Sequence, residues 1–177
     1  MRVNYRRVWA MPNKHTFEIP VIRKFIDANL PKSDRICDPF CGRSTIAKYR
    51  NDMAYGGIDG LAWMKTLQTE SMDCVLFDGA YSPRQLKECY NSVGTHLEDT
   101  TSGYWAKLRD EIKRVLVPGG IVLSFGWNSV GVGTKRKFEE IDGMIVCYVT
   151  DYDEVDGMIV SHGGNHNDTI CKAEVKL

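Results

Sequence analysis

Arg35-Ile36-Cys37-Asp38-Pro39-Phe40-Cys41-Gly42-Arg43-Ser44-Thr45 passes from a short apolar run, through an acid and a proline, into a glycine-containing turn. The apolar run reads as a strand and Asp38-Pro39 as its stop, while Gly42, Ser44 and Thr45 read as a turn that opens a helix. Strand, turn and helix begin a parallel unit. On the N-terminal side, Ile19, Val21, Ile22, Phe25, Ile26 and Leu30 recur mainly at three- and four-residue steps until Pro31, which predicts an amphipathic helix over 17–30. On the C-terminal side, Leu61 to Leu67 has the period of one or two helical turns, and Asp73-Cys74-Val75-Leu76-Phe77-Asp78 is a buried strand ending in a second acid. Trp105, Leu108, Ile112, Val115 and Leu116 predict a helix over 104–116, closed by Pro118-Gly119-Gly120 before another buried strand, Ile121 to Phe125.

The last third of the chain changes character. Glu140-Ile141-Asp142-Gly143-Met144-Ile145-Val146 nearly repeats as Glu154-Val155-Asp156-Gly157-Met158-Ile159-Val160, which predicts two strands in a hairpin or a small local duplication. Asp168 to Lys176 alternates polar and apolar residues, as an antiparallel edge strand does. These elements predict an α/β sandwich whose mostly parallel sheet is closed by a C-terminal antiparallel hairpin.

With 177 residues and 20.1 kDa, the chain has room for one domain over 1–177, since domains hold roughly 100 to 200 residues. Hydrophobic residues at 43% and charged residues at 26% exclude a disordered composition. The longest apolar runs fall far short of the ~18 residues of a membrane span, so no membrane partner is expected. The basic start has no apolar core behind it, as a secretory signal would, and a cytoplasmic location is expected. Six cysteines without a CxxC pair read as reduced thiols. Net charge is zero but unevenly spread: residues 1–50 hold eleven Lys and Arg against four acids, and residues 139–177 hold nine acids against two lysines. A basic N-terminal third is suited to phosphate contact. His162, His166, Asp168 and Cys171 are metal-ligand types, but Gly163-Gly164-Asn165 reads as a turn, and no metal is expected.

Ligands of open parallel sheets bind beyond the carboxyl ends of the strands, where both acid-bearing loops lie. Asp38-Pro39-Phe40-Cys41-Gly42-Arg43-Ser44-Thr45 and Asp78-Gly79-Ala80-Tyr81-Ser82-Pro83 resemble the cofactor and catalytic motifs of the amino-group DNA methyltransferases, which use S-adenosylmethionine to methylate adenine N6 or cytosine N4. Asn13-Lys14-His15-Thr16-Phe17 resembles that family's N-terminal cofactor segment, Arg50-Asn51-Asp52-Met53 its second acidic site and Ile58-Asp59-Gly60-Leu61 its third. Ser82 to Gln85, Gly126 to Ser129 and His162 to Thr169 resemble a compact adenine-N6 subgroup common in phages and mobile elements. The resemblance spans nearly the whole chain and implies a Rossmann-like methyltransferase fold.

It also implies roles. Lys14, Thr16, Phe17, Asp38, Pro39, Phe40, Gly42, Ser44, Asp52 and Asp59 would bind the cofactor. Gly42 lets the backbone approach, and Asp38 accepts from the ammonium as a charge-assisted pair. Asp52 would hold the ribose hydroxyls and Asp59 the adenine amino group, with Phe40 and the Thr16-Phe17 pair as an apolar wall. Asp78, Gly79, Ala80 and Tyr81 form the catalytic set. Asp78 and the Gly79 carbonyl would orient the exocyclic amine, and Tyr81 would stack on a base flipped from a duplex or taken from single-stranded DNA.

Two departures matter. The family's catalytic signature has two prolines where this chain has Gly79-Ala80, and proline fixes φ near −65° whereas glycine loosens the carbonyl. Arg43 and Ser44 stand where small residues are usual, so Arg43 either occludes the site or meets a phosphate. A catalytically impaired protein that binds cofactor or nucleic acid without transfer is therefore the alternative expectation. A separate target-recognition region does not fit in the length. Arg84 to Thr101, Gly131 to Lys137, the segment between the repeated strands and a homodimer are the ways left to supply DNA contacts.

Overall fold

In the computed structural model of the chain, residues 3–79, 102–126, 131–148, 152–155, 158–161 and 168–177 are described. The strands are β1 (Arg6–Trp9), β2 (Ile36–Asp38), β3 (Tyr49–Arg50), β4 (Met72–Phe77), β5 (Leu116–Gly126), β6 (Phe138–Cys147), β7 (Tyr152–Val155), β8 (Met158–Ser161) and β9 (Thr169–Lys176). The helices are α1 (Pro20–Asn29), α2 (Gly60–Thr66) and α3 (Ser102–Val115). Seven strands form one sheet in the order β1-β6-β9-β5-β4-β2-β3, while β7 and β8 pair as a separate antiparallel ribbon. Every pairing in the large sheet is parallel except those of β9, which runs antiparallel to β5 and β6.

Helices cover both faces. α1 buries Ile22, Phe25 and Ile26 with Leu76, Leu123, Phe125 and Val146, and the opposite face packs Leu61 and Met64 of α2 and Leu108 and Ile112 of α3 with Val75, Phe77 and Val122. Successive residues of β4 and β5 thus face opposite layers, which is why both strands read as continuous apolar runs. Among the described residues no helix is long and apolar enough to cross a membrane.

Several boundaries differ from the sequence reading. The helix expected from residue 17 begins at Pro20, and Thr16–Glu18 forms a separate 3-10 turn. The proline holds Ile19 extended (φ −69°, ψ 119°), so the two cannot merge. No helix follows the Gly42 turn. Residues 39–48 run irregularly into β3, tied by Cys41 N to Asn51 O (3.1 Å) and Asn51 N to Asp38 O (2.9 Å), with Gly42 at φ +53°.

The final strand is central, where the alternation predicted an edge. Its polar side chains are buried and paired: Lys172 with Glu140 (2.8 Å), Lys176 with the Leu116 carbonyl (2.6 Å), and Glu174 with the amides of Val132 (2.8 Å) and Gly133 (2.9 Å). The repeated segments do not pair with each other either. Asp142-Gly143 lies inside β6, where Gly143 faces the Tyr5 ring so closely that a Cβ would sit 2.6 Å from its Cε1, whereas Glu154-Val155 and Met158 to Val160 of the second copy lie in the β7–β8 ribbon.

The strand order fixes where a site can form. From β2 the chain crosses outward to β3 and then returns to β4 on the other side of β2, so the order reverses between β2 and β4. A crevice opens at such a reversal, beyond the carboxyl ends of the flanking strands.

Candidate functional site

Asp38 closes β2 and Asp78 follows β4, which sets both acids at that reversal. Asp78 lines a cleft of about 330 Å3, within the ~300–1,000 Å3 of small-molecule sites. Its lining includes Lys14, Thr16, Phe17, Phe40, Gly42, Ser44 and Asp78, seven of the residues expected from sequence, drawn from three separate segments. His15, Glu18, Arg23, Cys41, Arg43, Thr45 and Ile46 complete the lining, and of these only Arg43 is anticipated as a contact from sequence.

Each segment is built locally. Asn13 Oδ1 accepts from His15 N (2.9 Å) and Asn13 Nδ2 donates to Glu18 Oε2 (3.4 Å), folding 13–18 into a compact corner. Phe17 is seated edge-on against Phe125 at the end of β5, ring centroids 4.9 Å apart. In the loop after β2, Asp52 Oδ2 accepts from Gly42 N (2.9 Å) and Asp52 Oδ1 from Ala54 N (2.8 Å). Asn51 braces the same loop through Pro39 O (3.2 Å), Ile58 O (2.8 Å) and Ile58 N (3.0 Å). Arg43 turns its Nε toward Tyr55 Oη (3.2 Å).

Asp38 is fully buried, and its two oxygens differ. Oδ1 accepts from Phe40 N (3.0 Å), whereas Oδ2 has no hydrogen-bond partner among the described residues. Burial pushes the carboxyl well above the ordinary range; the Phe40 amide opposes the rise, Asp78 and Asp52 add to it, and Arg50 opposes it. A buried carboxylate oxygen lacking a donor is costly, and a cationic hydrogen-bond donor answers both deficits at once. Lys14, Arg23 and Arg43 bring cationic groups to the lining, so the cleft offers acidic groups and basic groups to one ligand, as a zwitterionic amino-acid moiety requires. Cys41 is no thiolate nucleophile at neutral pH: burial, then Asp38 and Asp52, push its thiol up to about 11.

The second loop meets an aromatic cluster. Phe40, Phe77 and Trp105 lie with ring centroids 5.9 to 6.4 Å apart, and Tyr104 packs edge-on to Trp105 at 5.4 Å. Phe40 passes between two glycines: a Cβ on Gly60 would be 2.6 Å from its Cε1, and a Cβ on Gly79 would be 3.4 Å from its Cε2. From sequence Trp105 reads only as a helix-core residue, and its place beside Gly79 has no sequence signal.

Asp38, Pro39, Asp52 and Asp59 lie outside the cleft lining. Asp59 caps α2 through Ala62 N (2.8 Å) and accepts from Tyr104 Oη (2.7 Å). Ala80 and Tyr81 lie outside the described residues, as do Ser82 to Gln85, Trp127 to Ser129 and His162 to Asn167. Of the candidate DNA-contacting loop Gly131 to Lys137, Arg136 is directed inward to Asp110 Oδ1 (2.6 Å) and Ala106 O (3.2 Å). No known family model matches the chain, and a search of curated proteins finds no match.

Proposed function

We propose that the chain is an S-adenosylmethionine-dependent DNA methyltransferase acting on an exocyclic base amine, adenine N6 by the motif resemblance. The observation that carries this reading is that two acids follow the strands flanking one strand-order reversal, Asp38 buried with an oxygen lacking a donor among the described residues and Asp78 on the wall of a cleft. The residues fit the cofactor. Asp38 Oδ2 would accept from the ammonium, Lys14 and Ser44 lie in the lining for the carboxylate, and Phe17 and Phe40 provide apolar walls.

When bound, the cofactor supplies an electrophilic methyl group. The protein's part is orientation. Asp78 and the Gly79 carbonyl would accept the two amine hydrogens, leaving the nitrogen lone pair directed at the incoming group, and positioning of this kind supplies much of the rate. Tyr81, next in the motif, would stack on the extruded base.

A second reading, a binding protein of the same architecture without transfer, is favoured by one observation. Both oxygens of Asp52, and both of Asp59, accept bonds from within the chain, so the groups expected to hold ribose and adenine already have internal work. Transfer of labelled methyl from S-adenosylmethionine to unmodified DNA, with the nucleosides separated afterwards, distinguishes the two. Label in N6-methyladenine, absent with Asp78→Ala, supports the enzyme. Cofactor bound by folded protein with no label on varied DNA supports the binder and removes the first reading.

A further inference from the structure

We infer that Trp105 is a positioning residue for the Asp78-Gly79 segment, and that Gly79 is a glycine because the Trp105 indole fills the space of its side chain. This deepens the methyltransferase reading and rests on it. A Cβ built on Gly79 would lie 2.7 Å from both Cη2 and Cζ3 of Trp105, closer than real Cβ contacts come. The far edge of a long side chain is ordinarily free to swing away. Here the ring is held by Phe40 and Phe77 at centroid distances of 6.1 and 5.9 Å and by Tyr104 at 5.4 Å. Tyr104 is fixed in turn by its bond to Asp59 at the head of α2.

The consequence reverses the plain reading of the sequence. Gly79-Ala80 in place of two prolines looks like a loosened acceptor loop. In the folded chain the aromatic wall packs against Gly79, and the absent side chain is what admits the wall. Phe40 belongs to both structures, since it touches the Gly79 position and lines the cofactor cleft. Cofactor site and acceptor loop therefore share one ring cluster, and position 79 cannot be changed independently of position 105.

The test is a double-mutant cycle of Trp105→Phe, Gly79→Ala and the pair, read by methyl transfer to DNA and by S-adenosylmethionine dissociation constants. Phenylalanine removes the outer ring edge, and alanine returns a methyl group to the same space. Each single change is expected to lower kcat roughly tenfold to a hundredfold, the scale of a small misplacement of reacting groups, while KM for DNA and cofactor affinity move by less than about threefold. The pair should recover to within about threefold of the unaltered protein. Should Gly79→Ala prevent folding, the same recovery is read as a melting transition regained in the pair. Additive losses, or no regained transition, overturn the proposal while leaving the enzyme reading intact if the unaltered protein is active. An unaltered protein that transfers no methyl group removes the functional reading, and the positioning role with it.

Discussion

Asp38→Asn should stabilise the free protein and, on the proposed methyltransferase reading, weaken S-adenosylmethionine binding, in opposite directions from one atom. The substitution keeps an oxygen to accept from Phe40 N and removes the charge from a side chain that is fully buried, with Oδ2 lacking a partner among the described residues. An uncompensated buried charged group costs about 1–3 kcal/mol or more, and the amide relieves that charge although its Nδ2 is itself a buried donor. At ~2–4 °C per kcal/mol for a chain of this size, the amide should raise the melting temperature by roughly 2–12 °C. The neighbouring carboxylates of Asp78 and Asp52 act in the same direction, and Arg50 against it.

The pH dependence has a definite sign. Asp38 has a raised pKa in the folded state, so the folded chain binds more protons than the unfolded chain once pH exceeds the ordinary carboxylate value, and stability falls as pH rises from there to the raised value. The advantage of the Asp38→Asn protein should be nearly absent at about pH 4 and larger at about pH 8. Loss of a charge-assisted contact, about 1.5–3 kcal/mol, should weaken S-adenosylmethionine binding roughly tenfold to a hundredfold. Thermal melts at both pH values and equilibrium dialysis with labelled cofactor read the two effects. An Asp38→Asn protein that melts lower than the original at high pH, or that binds cofactor equally well, would refute the assignment of Oδ2 as the ammonium acceptor.

Other outcomes follow from the same contacts. Gly60→Ala would put a Cβ 2.6 Å from Phe40 Cε1 and push that ring toward the cleft; cofactor affinity should drop about tenfold by calorimetry, ~1.4 kcal/mol. Gly131 has φ +52°, and a Cβ there would collide with Glu174 Oε2, so Gly131→Ala should cost about 1–3 kcal/mol, seen as a lower urea midpoint at unchanged slope. For Asp142, partial burial raises the pKa, but bonds from Asn29, Arg6 and Gly143 N outweigh it and hold the carboxyl low. A depressed folded pKa gives stability that is present above the ordinary carboxylate value and lost as pH falls through the folded value, so Asp142→Asn should flatten the acid limb of a melting-temperature profile.

How much of the fold can be read in advance depends on where polar side chains find their partners. Strands β4 and β5 are legible because both faces of each are buried against apolar layers, and an uninterrupted apolar run has few other homes. Strand β9 has the alternation of a half-exposed strand, yet its alternate positions are a lysine, a glutamate and a lysine that find partners across the sheet and in the 131–133 loop. Periodicity reports polarity, and polarity equals exposure only when no partner waits inside. The repeated segments make the same point, since Asp142-Gly143 runs through the middle of β6 while Glu154-Val155 and Met158 to Val160 lie in a separate ribbon. Strands β1 and β3 are short and mostly exposed, and their pairing with a long neighbour decides them, which a local window cannot see.

Residues proposed for a chemical role are easier to find than residues whose role is spatial. An acid at the end of a buried strand is visible as two adjacent letters, and that alone locates Asp38 and Asp78. Asp52 and Asp59 are equally visible, but a carboxylate serves a backbone amide as readily as a ribose, and only the placement of Gly42, Ala54 and Ala62 reveals which amides claim them. Gly79 is the sharper case. From sequence it signifies conformational freedom, and proline at that position looks like a gain in rigidity. With Trp105 2.7 Å from the place where the new Cβ must go, proline brings the same collision as alanine together with a fixed φ. An unimproved Gly79→Pro protein would therefore say nothing about whether the original loop is active, because the substitution tests the space beside Trp105 before it tests the stiffness of the backbone.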